Sequence, residues 1–140
     1  MTAKEYLSQV AKLDRLINAR IRDLKRIKEL AYSLSAAPLQ ERVRSSSAGE
    51  ASYTGGVMKI IAQEEKINRD IDLLIDRKNE AEALIGQLAD IDEQCILRYR
   101  YIQMMSWDDI ADEMRVSLRT IYRLHSRALK NFSEILENSQ

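Results

Sequence analysis

The sequence predicts an all-α protein. It reads as a long antiparallel helical hairpin, coiled-coil-like, over residues 1–89, followed by a C-terminal three-helix module over 90–140. Three observations lead there. Large apolar residues recur at three- and four-residue spacing along two long stretches, which is the period of a helix face. The chain has one proline and four glycines, and three of those glycines lie at or before Gly56, so long stretches carry no helix breaker. Charged residues make up 31% of the chain against 6% aromatic, the profile of long helices with solvated faces.

The first helix is expected over 3–34. Tyr6, Val10, Leu13, Ile17, Leu24, Ile27, Ala31 and Leu34 form its stripe, interrupted at Arg20, and Leu7, Leu16, Ile21 and Leu30 widen it beyond a narrow two-stranded seam. From Met1 to Ser33 there are eight basic and four acidic residues, giving +4. Residues 35–56 break the pattern with Ser35, Pro38, Ser45-Ser46-Ser47, Gly49 and Gly55-Gly56, and read as a Ser/Gly-rich connector. Arg42 and Arg44 within it could touch phosphates, but Glu41 and Glu50 offset them and a solvated connector is the simpler reading. A second helix is expected over 57–88, with Val57, Ile60, Ile61, Ile67, Ile71, Leu74, Ala81, Ile85 and Leu88 as its stripe. From Val57 to Ala89 five bases face seven acids, giving −2, opposite in sign to the first helix. Two helices of matching length and opposite charge suit antiparallel packing. A two-helix hairpin has little interior of its own, so the rest of each stripe is expected to bury against a second copy, making a homodimer, or against the C-terminal module.

The module begins near Asp90, which with Asp92 can cap a helix over about 93–103 carrying Ile91, Cys95, Ile96, Tyr99 and Ile102. Cys95 is most simply a small core residue. Ser106 can cap the next helix, with Asp109 completing a capping-box-like start, and Ile110, Ala111 and Met114 form its inner face. Val116 is expected to plug the turn, Trp107 to anchor the helices, and Ser117 to cap a last helix that runs to about Asn138 with Ile121, Leu124 and Ala128 inward. This is the pattern of a helix-turn-helix. Its turn often begins with Gly because a residue there takes positive φ, whereas this chain has Arg115, at a cost on the order of 1 kcal/mol.

Charge divides sharply between the two helices. Four acids and no base lie between Asp108 and Glu113, and five bases and no acid between Arg115 and Lys130. Phosphates repel carboxylates and attract guanidinium groups, so the second helix, over 117–130, is the one fitted to enter the major groove of double-stranded DNA. An ordinary helical pair with a solvated basic face would show some of this. It would rarely combine both caps, the small Ala111, Val116 and the charge division. The candidate DNA-binding residues are Ser117, Leu118, Arg119, Thr120, Tyr122, Arg123, Ser126, Arg127 and Lys130. Arg119 and Arg123 would meet guanine edges or phosphates, Tyr122 and Leu118 thymine methyls, and Ser117, Thr120, Ser126, Arg127 and Lys130 the backbone.

Several classes are disfavoured. The net charge is zero, so any attraction to nucleic acid must be local. A single cysteine excludes an intrachain disulfide and a Cys-based metal site and suits a cytoplasmic setting. The N-terminus, with Lys4 and Glu5, is not signal-like, and no apolar run reaches the roughly 20 residues a membrane span needs. No Gly-rich phosphate loop, Cys/His ligand set or Ser-His-Asp context is present, so catalytic residues, cofactor and metal are all expected to be none. The lone His125 lies beside the inward stripe and is expected to be packed or to contact phosphate, and acid pairs such as Glu64-Glu65 and Asp108-Asp109 diverge on a helix.

The segment Asp90–Phe132 resembles region 4 of bacterial sigma factors. The likeness rests on the order of its elements: Ile96-Leu97-Arg98-Tyr99-Arg100-Tyr101-Ile102, then Ser106-Trp107-Asp108-Asp109-Ile110-Ala111, then Ser117-x-Arg119-Thr120-Ile121-Tyr122-Arg123-Leu124-His125-Ser126-Arg127-Ala128-Leu129. In sigma factors that segment recognises a promoter element and contacts RNA polymerase. The whole chain resembles small phage and prophage proteins of Gram-positive bacteria related to late-gene activators of the RinA and ArpU kind. The resemblance implies a sequence-specific transcription regulator, with RNA polymerase as a candidate partner. Before residue 90 the only aromatics are Tyr6, Tyr32 and Tyr53, too few for the promoter-melting segment of a complete sigma factor. Two alternatives stay open: a DNA-packaging protein like a terminase small subunit, which would form a ring, and a helical interaction protein that does not bind DNA.

Overall fold

The computed structural model describes residues 1–36 and 47–140, with side chains described for 1–33 and 55–140. Every element among the described residues is helical, and none of these helices is long and apolar enough to cross a membrane. The elements are α1 (Ala3–Ala36), α2 (Ser47–Ile85), α3 (Ile91–Leu97) continued by a π-helical turn (Arg98–Ile102), α4 (Trp107–Met114) and α5 (Leu118–Asn138). Two compact units result. One contains residues 1–15 and 75–140, the other 16–74. These limits fall inside the long helices, whereas the expected division lay at 89/90.

One expectation about the connector changes. Residues 47–56 are helical, although Gly49, Gly55 and Gly56 signalled a loop. Glycine in a helix costs about 1 kcal/mol relative to alanine but does not forbid it, and Ala48, Glu50 and Ala51 are good helix formers. Ser35 and Ala36 still belong to α1, and residues 37–46, including Pro38, Leu39, Arg42, Val43 and Arg44, lie outside the described residues.

In the 16–74 unit, Ile17 on α1 and Ile60, Ile67 and Leu74 on α2 are buried, as the stripes required. Arg20 Nη2 donates to Asp70 Oδ2 at 2.6 Å, and Lys28 Nζ lies 3.9 Å from Glu64 Oε1. Such exposed pairs are screened by solvent and contribute little, so they fix register more than they hold the helices together. Leu16, Ile21 and Leu30 on α1 and Ile61 and Leu73 on α2 stay about half exposed.

The other unit holds the main core. Leu7, Ile85, Ile96, Leu97, Ile110, Ile121, Ala128 and Phe132 are fully buried, joined by Ala3, Leu84, Leu88, Tyr101, Ala111 and Leu136. The first two turns of α1 are therefore part of this core, with the Tyr6 and Phe132 rings 5.9 Å apart. That start is fixed by a complete capping box: Glu5 N–H donates to Thr2 Oγ1 at 3.1 Å, and Thr2 N–H to Glu5 Oε2 at 3.0 Å. Lys78 Nζ donates to Asp14 Oδ1 at 2.6 Å. α2 ends at Ile85, its last carbonyls accepting from the N–H groups of Gly86, Gln87 and Leu88, and the Gln94 amide donates to the Leu88 carbonyl in the turn that follows, at 2.6 Å.

The caps fall where the sequence placed them. Asp90 Oδ1 accepts from Asp92 N–H and Glu93 N–H, Ser106 Oγ from Asp109 N–H at 3.1 Å, and Ser117 Oγ from Thr120 N–H at 3.2 Å. α3 does not run to 103 as a regular helix. It widens into a π turn closed by Gln103 N–H donating to the Arg98 carbonyl, and the chain then turns through Met104 at φ 61°. Ile91 is 74% exposed and is no core member. Val116 is 38% exposed, so it does not plug the turn. Its N–H instead donates to the Ala111 carbonyl at 3.1 Å, closing a Schellman motif around Arg115. Arg115 takes φ 57°, ψ 44°, the left-handed conformation expected of the position.

Candidate functional site

α4 and α5 are joined by Arg115, Val116 and Ser117. All nine candidate contact residues, from Ser117 to Lys130, are exposed. At about 100° per residue, Arg119, Tyr122, Arg123, Ser126 and Lys130 fall within an arc of about 100°. Ile121, His125, Ala128 and Phe132 occupy the opposite, buried side. Leu118 and Thr120 stand on the two flanks of the outer arc. The exposed carboxylates of Asp108, Asp109, Asp112 and Glu113 are confined to α4. Among the described residues, Arg119 and Arg123 have no ion-pair partner.

Behind this face lies an aromatic support. Trp107 is half-buried, with its ring 5.7 Å from Tyr122 and 4.6 Å from His125, both edge-on. The Arg100 guanidinium sits over Trp107 at 4.4 Å from the ring centre, while its Nη1 donates to the Met105 carbonyl at 3.0 Å. Trp107 thus anchors the helices, as its place in the sequence suggested. It also buttresses Tyr122, which is 50% exposed on the outer face.

His125 belongs to the inward stripe itself, not beside it. It is buried, and its Nε2 is 2.8 Å from the Tyr101 hydroxyl. Burial, with the positive charges of Lys4 and Arg100 nearby, pushes its pKa down from 6.5 to about 4. The ring is neutral at physiological pH and faces away from the outer surface. Burial likewise raises the Tyr101 hydroxyl.

The sequence did not reveal a polar cluster joining α3 to α5. Glu93 is only 2% exposed. Its Oε1 accepts from Arg127 Nε at 2.9 Å, and the Asn131 amide donates to both of its oxygens, at 2.8 and 3.0 Å. Arg127 Nη2 donates to Asp90 Oδ2 at 3.0 Å. The one available signal was Asn131 standing four residues after Arg127, on the same side of the helix. Cys95 is a half-buried free thiol, and no group of three or more metal-ligating side chains gathers among the described residues.

Residues 48–133 match the family described as "Protein of unknown function (DUF1492)". The chain belongs to this family. The match spans α2 from its first turn, the capped α3–α4 segment and α5 as far as Ser133, so it includes the whole outer face described above. No curated protein and no solved structure matches the chain.

Proposed function

We propose that this DUF1492 protein is a sequence-specific double-stranded DNA-binding regulator of transcription, of phage or prophage type. In this reading α4 and α5 act as a helix-turn-helix and α5 enters the major groove. The observation that carries it is the exposure, on one arc of α5, of Arg119, Tyr122, Arg123, Ser126 and Lys130, with no carboxylate between Arg115 and Lys130. Arg119 and Arg123 are long enough to reach base edges, and the Trp107 edge limits the rotamers open to Tyr122. The first turn of α5, capped by Ser117, presents backbone N–H groups toward a phosphate.

The long helices supply the second half of the proposal. The Arg20–Asp70 and Lys28–Glu64 pairs fit an antiparallel hairpin. Leu16, Leu73 and Leu74 flank the Arg20–Asp70 pair in a shallow apolar recess, which supports association with a second copy. A homodimer would place two α5 helices on one duplex.

The test is selection of bound duplexes from a random library, followed by titration of the selected site. Arg123→Ala is expected to weaken binding to that site by about 1–3 kcal/mol. An isotherm that Arg123→Ala leaves unchanged at low salt removes the groove-contact assignment. Sedimentation at micromolar concentration that shows only a 16.2 kDa species removes the dimer.

A further inference from the structure

We infer that Arg127 positions α5 and does not hold a phosphate, so that the duplex contact ends with Arg123 on this edge of the helix and Asp90 and Glu93 mark its limit. This rests on the duplex-binding reading above. Arg119, Arg123 and Arg127 are spaced by four residues, and each such step swings a side chain by about 40° around the helix. Arg127 therefore stands about 80° round from Arg119, at the margin of the outer arc. There its Nε meets Glu93 Oε1 at 2.9 Å and its Nη2 meets Asp90 Oδ2 at 3.0 Å, so one edge of the guanidinium is occupied by two carboxylates.

The two ends of this cluster differ in freedom. Glu93 is enclosed, and among the described residues its side chain is held by Arg127 and Asn131. If Arg127 swung to a phosphate, Glu93 would be left buried without a counter-ion, a far larger loss than an exposed guanidinium–phosphate pair restores. Two carboxylates around one guanidinium also leave a local charge of −1, which repels the DNA backbone.

The experiment is anisotropy titration of the full-length chain with a labelled random-sequence duplex over a series of KCl concentrations. Each lost phosphate contact flattens the slope of log affinity against log salt by about 0.9. Lys130→Ala, on the outer arc, is expected to show that loss. Arg127→Ala is expected to keep the parent slope while lowering the melting temperature, because Glu93 loses its partner. A slope loss of about 0.9 in folded Arg127→Ala overturns the inference. If Arg127→Ala does not fold, Asp90→Asn decides. Asparagine keeps the oxygen that caps α3 but removes one carboxylate charge, and binding at low salt is expected to tighten about twofold or more. Unchanged or weaker binding by Asp90→Asn overturns the inference. Absence of salt-dependent binding by the unaltered chain overturns the duplex reading as a whole. Loss of slope in Arg127→Ala with binding otherwise intact overturns this inference alone.

Discussion

His125 makes the stability of the helical core depend on pH in a defined window. Its folded pKa is about 4 against 6.5 for the free side chain, because the buried ring is short of water and faces the charges of Lys4 and Arg100. Above pH 6.5 the ring is neutral in both states and contributes no pH dependence. Below 6.5 the unfolded chain takes up a proton that the folded chain refuses, so stability falls until the pH reaches the folded value near 4. At 1.36 kcal/mol per unit, the loss from pH 7 to pH 5 comes to about 2 kcal/mol. The chain's carboxylates titrate over part of this range, so the measurement must be a difference. Urea unfolding of the parent and of His125→Gln at pH 7, 6 and 5 supplies it. Glutamine keeps a hydrogen-bonding partner for the Tyr101 hydroxyl but does not titrate. The parent should lose about 2 kcal/mol more than the variant between pH 7 and 5. Equal losses in the two proteins would refute the argument that His125 is buried neutral.

Three other substitutions follow from local geometry. Arg115→Gly relieves a left-handed backbone and should raise stability by about 1 kcal/mol in the same urea assay. Phe132→Ala empties the centre of the core, where Tyr6 packs against the ring, and should cost about 3–5 kcal/mol of unfolding free energy. Ser117→Ala removes the acceptor for Thr120 N–H and should cost about 1 kcal/mol, read as a lower urea midpoint at unchanged slope.

Local signals survived the passage from sequence to structure well. The Asp90, Ser106 and Ser117 caps, the αL turn at Arg115 and the inward Ile121–Ala128 stripe depend on residues within four positions of each other, and each was legible. What depends on distant partners was not. Glu93 is an acid in a polar stretch, and nothing near it in sequence announces that Arg127 and Asn131, 34 and 38 residues on, will enclose it. The same distance separates Arg127 from its role, since a row of arginines at four-residue spacing reads as one uniform basic ridge. His125 illustrates the same limit: its packing is legible, but the Tyr101 hydroxyl that lets a polar ring join the stripe lies 24 residues away. The π turn moves the buried position: the sequence sets Tyr99 and Ile102 on the inner face, whereas Tyr101, five residues after Ile96, is the buried ring. Ile91 and Val116 erred the other way: an apolar side chain at the edge of an element need not find a cover.

The gathering of four acids on α4, with no acid between Arg115 and Lys130, has a practical consequence at the bench. A chain with equal numbers of acidic and basic residues should pass through an ion exchanger near its isoelectric point of about 6.6. Retention on a resin depends on the most highly charged patch that can turn toward it, and not on the total. Near neutral pH this protein should cling to heparin or phosphocellulose and elute sharply with salt, behaving on the column as a cation while an electric field scarcely moves it.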